Sequence, residues 1–152
     1  MNTSAAIKAY NKVGVESNVV GADPHKLISM LFEGALLSIA KAQNGIKRND
    51  IPVKSDAIFK ASAIITEGLV ASLDMKAGGE IAKNLASLYG YMITRLVTAN
   101  MNNDVAILDE VSNLLAGLKD AWDSIRPIIK KTTIKSMPEA TQSAEYGQMG
   151  KL

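Results

Sequence analysis

Residues that could perform chemistry are scarce in this sequence, and histidine and cysteine are the first to consider. The 152 residues include no cysteine and one histidine, His25. Disulfide bonds and thiolate metal ligands are therefore excluded, and a site built from several histidines is impossible. A carboxylate di-metal site in a helical bundle needs Glu-x-x-His pairs, and no glutamate lies three residues before His25. We expect neither a metal nor another cofactor.

Motifs for nucleophilic or nucleotide chemistry are also missing. The sequence has no Gly-x-Ser-x-Gly elbow, no phosphate-binding loop and no glycine-rich dinucleotide loop. His25 stands at the start of a predicted helix, where we expect its side chain to be exposed. Glu33 has no second carboxylate or histidine at helical spacing, so we expect it on a solvated face. The sequence predicts a protein that is not an enzyme.

Composition and charge favour an ordinary globular protein. Hydrophobic residues make up 47% of the chain and charged residues 21%, and the net charge is +2. That balance supports one folded domain, and scattered lysines do not form the clustered basic face of a nucleic-acid binder. Residues 1–10 lack the pattern of a secretory signal, and no apolar run approaches about 18 residues. We expect a cytoplasmic protein without a membrane span.

Four segments repeat apolar residues every three or four positions, which predicts an all-α protein. The first helix begins at Asp23 and Pro24. Asp23 can cap the first turn, and Pro24 has no backbone N–H that would be left without an acceptor. The second begins near Pro52 and ends at Gly78 and Gly79. The inward stripe of the first helix is Leu27, Leu31, Ala35, Ile39 and Ile46. That of the second is Ile58, Ala61, Ile65, Leu69 and Leu73.

The third helix is predicted to open at Glu80 and to end before a turn at residues 100–104, where Asn103 or Asp104 caps the fourth helix. Pro127 should end or kink that fourth helix. The inward stripe of the third helix is Ile81, Leu85, Leu88, Met92, Leu96 and Ala99. That of the fourth is Val105, Leu108, Val111, Leu115, Leu118, Trp122 and Ile125. Short connections favour an antiparallel four-helix bundle. We expect residues 23–130 to form it, residues 1–22 to form an N-terminal apolar arm, and residues 131–152 to be a disordered tail.

An ordered series of residues on these helices closely resembles the flagellin-specific export chaperones of the FliS family. The resemblance runs from Tyr10 to Trp122, about three quarters of the chain. Its residues are Ile7-Lys8-Ala9-Tyr10, Pro24-His25-Lys26-Leu27-Ile28, Met30-Leu31-Phe32-Glu33-Gly34-Ala35, Ala61, Ile64-Ile65, Gly68-Leu69, Leu73-Asp74, Gly78-Gly79-Glu80-Ile81-Ala82, Asn84-Leu85, Leu88-Tyr89, Tyr91-Met92, Arg95-Leu96, Ala99-Asn100, Asp104, Glu110-Val111, Leu114-Leu115 and Trp122.

The resemblance implies a function without catalysis. Proteins of this family bind the C-terminal segment of newly made flagellin, prevent its premature polymerisation and deliver it to the membrane export gate of the flagellar type III system. A disordered segment loses entropy when it becomes ordered, so its binding site must offer a long apolar surface. A groove between bundle helices that accepts an amphipathic helix would supply one.

Two flanks beside the inward stripes are candidates for that surface. Both consist mainly of small residues and would either form a trough for a partner or pack neighbouring helices closely. Gly68 and Gly90 each lie mid-helix, where glycine costs roughly 1 kcal/mol relative to alanine, so we expect a close approach by another helix or by a partner. The flanks are Ala57, Ala61, Ile64, Gly68 and Ala71 on the second helix, and Ala82, Ala86, Gly90, Ile93 and Val97 on the third.

Two aromatic residues and the arm complete the candidate site. Tyr89 and Tyr91 cannot both face inward, since two residues turn a helix by about 200°, and we expect Tyr89 inward and Tyr91 outward. We also expect the arm, through Ile7 and Tyr10, to cover the flagellin site in the free protein or to cap the bundle.

Other functions remain open at this stage. A helical adaptor for another secreted or regulatory protein is the main alternative, and a homodimer is possible because exposed apolar surface also favours self-association. A DNA-binding helix-turn-helix would need a basic recognition helix, whereas the third helix carries only Lys83 and Arg95.

Overall fold

A computed structural model describes residues 23–125, which form four helices. Helix α1 spans Pro24–Lys47, α2 spans Ile51–Ala63 and continues as a π-helical segment over Ile64–Val70, α3 spans Met75–Asn102, and α4 spans Val105–Ser124. No strand occurs in this part of the chain. The prediction of an all-α protein is confirmed, and the predicted arm, the tail and Pro127 lie outside the described residues.

An aspartate caps the start of every helix. The side chains of Asp23, Asp50, Asp74 and Asp104 accept hydrogen bonds from backbone amides of the first turn. Each carboxylate thus satisfies a donor that the helix leaves free and lies at the positive end of the helix dipole. The sequence analysis recognised Asp23 and Asp104 but placed the start of the second helix at Pro52 and that of the third at Glu80.

The boundary between α2 and α3 differs from the prediction of a stop at Gly78 and Gly79. Helical structure in α2 ends at Val70, and the Asp74 carboxylate begins a new turn by accepting from the amides of Lys76 and Ala77 at 3.1 and 2.9 Å. Gly79 has φ +52° and ψ −129°, which interrupts the helix between this first turn and the rest of α3. The prediction of a left-handed cap that ends α2 was therefore wrong: Gly79 has a positive φ, which suits glycine, but it kinks α3.

Contacts between the helices form a closed ring. Each helix packs against the next one along the chain, and α4 packs against α1. The fully buried side chains of the core come from all four helices, and the largest are Leu27, Leu31, Ile39, Ile64, Ile65, Met92, Leu96, Leu108 and Leu115. This arrangement is the predicted antiparallel four-helix bundle, in which short connections join neighbouring helices.

Buried Lys54 joins α2 to the end of α3. Its side chain is 5% exposed, and its Nζ donates to the carbonyl oxygen of Asn100 at 2.9 Å and to Oδ1 of Asn103 at 2.8 Å. The charge therefore lies where the last carbonyls of α3 need donors and where the helix dipole is negative. Nearby, Gly45 of α1 lets the two backbones approach, since a Cβ on Gly45 would lie 2.8 Å from the amide nitrogen of Lys54.

His25 and Trp122 join the start of α1 to the last turn of α4. Their rings stack with centroids 4.5 Å apart and planes 7° apart. His25 Nε2 donates to the Trp122 carbonyl at 2.6 Å, and Trp122 Nε1 donates to the His25 carbonyl at 2.9 Å. The expectation of an exposed His25 was wrong, because its ring packs against the indole and is 8% exposed. We call this end of the bundle, where α1 begins and α4 ends, the terminal end.

Ile81 also departs from its predicted place in the inward stripe of the third helix. Its side chain is 73% exposed, whereas the adjacent Ala82 is 4% exposed. The reason is that α2 has already ended at Val70 and that α4 ends at Ser124, about level with Ile81, so the start of α3 lies beyond both neighbours. An apolar residue on the inward stripe therefore meets no helix at the terminal end.

Candidate partner-binding surface

No arrangement of side chains suited to metal binding occurs in residues 23–125. These residues contain no group of three or more His, Asp or Glu side chains placed to hold an ion. The only histidine is engaged in the ring contact with Trp122.

One surface of the bundle is a line of apolar residues on the outside of α3. Its members follow one another at intervals of four, three, four and four residues, so they occupy one face of the helix. Val97 is 53% exposed and Met101 76% exposed, while Ile93 is half-buried against the core. We name this surface the α3 stripe, and its residues are Ala86, Gly90, Ile93, Val97 and Met101.

The middle of the α3 stripe is open. A Cβ placed on Gly90 would meet no atom within 4 Å, so no neighbouring helix requires glycine at this position. Because glycine weakens a helix, its use here is consistent with close approach by something outside the described bundle. The sequence left open whether Gly90 serves close packing of a neighbouring helix or a trough for a partner. Within the described residues, close packing of a neighbour is excluded.

The α3 stripe lies on the side of α3 that faces α2. Asn100 shares a helical face with Ile93 and Val97, being seven and three residues after them. Its carbonyl accepts from Lys54, and its side chain lies 3.4 Å from the Ser55 hydroxyl. The stripe therefore overlooks the groove between α2 and α3.

Phe59 borders the same groove from α2. It lies one turn after Ser55 on the same helical face, and its side chain is 77% exposed. Ser55 lies opposite Asn100, and α2 and α3 run antiparallel. Phe59, one turn after Ser55, therefore lies opposite Leu96 and Val97, one turn before Asn100. Phe59 was not among the residues predicted from the sequence, because it lies outside the inward stripe of α2. Its only signal was an aromatic residue between Ile58 and Lys60, off the spacing of the inward stripe.

Most of the α2 flank proposed from sequence belongs to the packed interior. Ile64 has no exposed surface, and Ala57 and Ala61 are 5% and 0% exposed. Gly68 is buried against α1, where a Cβ would lie 2.9 Å from Cδ2 of Leu31. Gly68 therefore serves a close helix–helix contact, and of this flank only Ala71 is exposed. The structure does not bring the two predicted flanks together in one groove.

Tyr91 is exposed as expected, while Tyr89 is buried in the core at 3% exposure. The hydroxyl of Tyr91 donates to Oε2 of Glu110 at 2.5 Å, and Nε of Arg95 donates to Oε1 of the same carboxylate at 2.8 Å. These two hydrogen bonds lower the pKa of Glu110, and the bond to Glu110 raises the pKa of Tyr91. The network ties α3 to α4 and leaves 44% of Tyr91 accessible.

A second groove runs between α1 and α2. It encloses about 400 Å³, has small residues in its floor, and carries Leu37, which is 70% exposed, on its α1 side. The residues that line it are Gly34, Leu37, Ser38, Lys41, Val53, Asp56, Ala57 and Lys60. This groove and the α3 stripe lie on opposite flanks of α2. The candidate arm residues Ile7 and Tyr10 lie outside the described residues.

Comparison with known proteins identifies the family. The family described as "Flagellar protein FliS" matches residues 6–129. The flagellar secretion chaperone FliS of Salmonella typhimurium is 47% identical over 127 residues, 84% of this chain and 94% of the relative. FliSB of Pseudomonas aeruginosa is 47% identical over 82% of this chain and 98% of its own, and FliS of Bacillus subtilis is 33% identical over 70% and 78%.

These matches agree with the character of the described bundle. None of its helices is long and apolar enough to cross a membrane. The relatives are named as flagellar secretion chaperones, and the family is one of chaperones, not of enzymes. Helices, exposed apolar surface and sequence thus lead to one assignment: the chain belongs to the FliS family of flagellar secretion chaperones.

Proposed function

We propose that this protein binds the C-terminal segment of flagellin in the cytoplasm, prevents its premature polymerisation and delivers it to the flagellar export gate. The observation that carries the proposal is the α3 stripe, which leaves apolar surface exposed beside Phe59 in a chain of the FliS family. The α3 stripe and Phe59 form the centre of the partner site in the groove between α2 and α3. Tyr91, on the side of α3 that faces α4, extends the site together with Ala71 and the arm residues Ile7 and Tyr10.

The shape of the surface suits a helical ligand. Val97 and Phe59 lie on the two sides of the groove between α2 and α3. Because Gly90 has no side chain, the α3 side of this groove is shallow at that position. An amphipathic helix placed along this groove would insert residues at i, i+3, i+4 and i+7 between the two side chains. A flagellin segment that forms helical packing in the filament would present such a stripe, and its burial offsets the entropy lost on ordering.

Binding of this kind explains how a chaperone prevents assembly. The apolar face that packs in a filament is the face that the groove would cover, so a bound subunit cannot join another. Dissociation at the export gate would expose that face again. The proposed action therefore requires no nucleotide and no covalent step.

A binding experiment with matched variants tests the site. A flagellin C-terminal peptide should form a stoichiometric complex with the wild-type chain on gel filtration. Phe59→Asp and Val97→Asp each place a charge in the groove, and we expect each to raise Kd at least about tenfold, since a hot-spot contact contributes 1.4 kcal/mol or more. Leu37→Asp is the control, because Leu37 lies on α1, is 70% exposed and borders the groove on the other side of α2.

Two results would contradict the proposal. Absence of a complex with the wild-type chain would remove flagellin as the partner. A loss of affinity in Leu37→Asp that equals the loss in Val97→Asp would move the site away from the α3 stripe. Circular dichroism of all three variants checks that each remains helical.

The groove between α1 and α2 favours a second candidate function. A helical adaptor that binds another secreted or regulatory protein would use this groove, where Leu37 is exposed between Lys41 and Lys60. Leu37→Asp would then weaken that partner and spare flagellin. The same exposed surfaces would also support a homodimer, which would show as a concentration-dependent mass in sedimentation.

A further inference from the structure

The terminal end of the bundle carries exposed apolar residues that the proposed partner site does not use. Met75 is 49% exposed, Ile81 73% and Ile125 37%. Ile81 and Ile125 lie at the same height, because they are nearly equally distant from the short connection between antiparallel α3 and α4. We call Met75, Ile81 and Ile125 the terminal-end patch.

The patch has the character of an uncovered interior. Ile81 continues the inward stripe of α3, and the next members, Leu85 and Leu88, are half-buried against the core. The helices that would otherwise flank Ile81 have ended at Val70 and Ser124. Something that approaches from beyond the ends of α2 and α4 is therefore needed to cover it.

We infer that residues 126–137, which directly follow α4, fold back over the terminal-end patch. The chain leaves the described bundle at Ile125, within the patch itself, and 27 residues follow in the sequence. Ile128 and Ile129 come three and four residues later, so a length of at most about 14 Å of extended chain lies between them and Ile125. No other apolar residues outside the bundle follow the patch so closely in the chain.

Charge complementarity supports the same occupant. Residues 126–137 contain four basic residues and no acidic one, namely Arg126, Lys130, Lys131 and Lys135. The bundle over residues 23–125 has ten basic and twelve acidic residues, a net charge of −2. The elements that meet at the terminal end carry exposed Asp74, Glu80 and Asp120 together with exposed Lys76 and Lys83, and Glu80 lies 3.7 Å from Lys83. The complementarity is therefore one of net charge between the basic segment and the acidic bundle.

This role differs from flagellin binding. The α3 stripe points toward α2, whereas Ile81 lies on the inward stripe of α3 beyond the ends of its neighbours. The family match also ends at residue 129, within the inferred segment. The inference therefore does not depend on the proposed function.

Thiol labelling tests the inference directly, because the chain has no cysteine of its own. Ile81→Cys in the full chain places a single thiol in the patch, and Val97→Cys places one in the α3 stripe as a control. We expect Lys130→Glu/Lys131→Glu/Lys135→Glu to accelerate maleimide labelling at position 81 about tenfold, the combined effect of several exposed ion pairs. Labelling at position 97 should stay close to its rate without the tail substitutions.

Two further variants isolate the cause. Ile128→Ser/Ile129→Ser should accelerate labelling at position 81 in the same way without a change in charge. Lys47→Glu/Arg48→Glu/Lys60→Glu makes the same charge change elsewhere and should leave the rate unchanged. Loss of nearby positive charge alone raises a thiol's pKa and slows labelling, so an acceleration must come from uncovering.

The inference is overturned if position 81 labels equally fast with and without the tail substitutions. It is also overturned if slow labelling appears only at high protein concentration, since a second copy would then cover the patch. Circular dichroism and thermal unfolding of each variant show whether the bundle remains folded.

Discussion

His25 and Trp122 stack ring on ring and exchange hydrogen bonds with each other's backbone carbonyls, although 97 positions separate them in sequence. Around them, Ser29 donates to Oδ1 of Asp123 at 2.7 Å, and Lys119 lies 2.6 Å from Oδ2. The bond to Lys119 lowers the pKa of Asp123, with a further contribution from Ser29. The first and last helices are thus joined by two adjacent sets of polar contacts.

Removal of the imidazole should loosen this junction. His25→Ala removes one hydrogen bond and the stacked ring, and we expect a loss of about 1–3 kcal/mol in the free energy of unfolding. Urea denaturation followed by circular dichroism measures the loss. Lys26→Ala, which changes the exposed neighbouring residue, should have almost no effect. Equal stability of the two variants would show that the ring pair contributes nothing.

The two mid-helix glycines should respond to alanine in opposite ways. Gly90→Ala adds a methyl group in open space and should stabilise α3 by up to about 1 kcal/mol. Gly68→Ala forces the methyl group against fully buried Leu31 and should destabilise the bundle by about 1–3 kcal/mol. Thermal unfolding of both variants checks the order. Equal changes in stability would contradict the difference in packing.

Substitution of Lys54 should weaken the join between α2 and α3. Lys54→Met keeps the apolar stem but leaves the Asn100 carbonyl and the Asn103 side chain without this donor, for an expected loss of about 1–3 kcal/mol. Lys60→Met, at an exposed position of the same helix, is the control. Chemical denaturation of both proteins supplies the comparison, and a loss no larger than that of the control would argue against the capping role.

Tyr89 should make the fold sensitive to alkaline pH. Burial raises its pKa to about 12 from an ordinary 10.0. Between these values the unfolded chain has released the phenolic proton and the folded chain has kept it, so stability is full below pH 10 and falls as pH rises toward 12. This difference in the pKa of Tyr89 corresponds to about 2–3 kcal/mol in the free energy of unfolding.

The corresponding measurement compares Tyr89→Phe with the wild-type chain from pH 9 to 12. Lysine titration affects both proteins alike, so the difference between their stabilities isolates the phenol. We expect the wild-type chain to lose more stability than Tyr89→Phe across this range. Parallel pH profiles would show that Tyr89 ionises without unfolding.

The arm provides a prediction about affinity. If residues 1–22 compete with flagellin for the partner site, Ile7→Ser/Tyr10→Ser should bind the flagellin peptide more tightly than the wild-type chain, because less of the site is occupied beforehand. If the two side chains instead contact flagellin, binding should weaken. Isothermal titration with the folded variant decides between competition and direct contact.

The fold could be predicted largely from helical spacing. Apolar residues at intervals of three and four marked all four helices, and the predicted inward positions Leu31, Ile65, Met92 and Leu115 are fully buried. The prediction that Ile81 faces the core was wrong because spacing alone does not show where a neighbouring helix ends. The predicted end of α2 was wrong because Gly78 and Gly79 are the stronger local signal, whereas the helix stops earlier, before the Asp74 cap.

The surfaces were harder to predict, for a physical reason. A flank of small residues looks the same whether it packs a neighbour, as Gly68 does, or faces open space, as Gly90 does. The difference depends on which helices become neighbours. His25 was misplaced for a related reason, since its partner Trp122 lies at the far end of the sequence. Phe59 required knowledge that α2 presents this side toward α3.

The π-helical segment has a consequence for how this protein tolerates changes in length. A π-helical turn holds more residues than an α-helical one, so Ile64–Val70 accommodates an additional residue inside α2. Deleting exposed Thr66 would let the segment rewind as an ordinary α-helix, while the turns on either side keep the faces that they present. Leu69 would stay in the interior and Gly68 would stay beside Leu31. The bundle should therefore accept the loss of one residue within Ile64–Val70, whereas the same loss in a regular part of α2 would turn the following residues by about 100°.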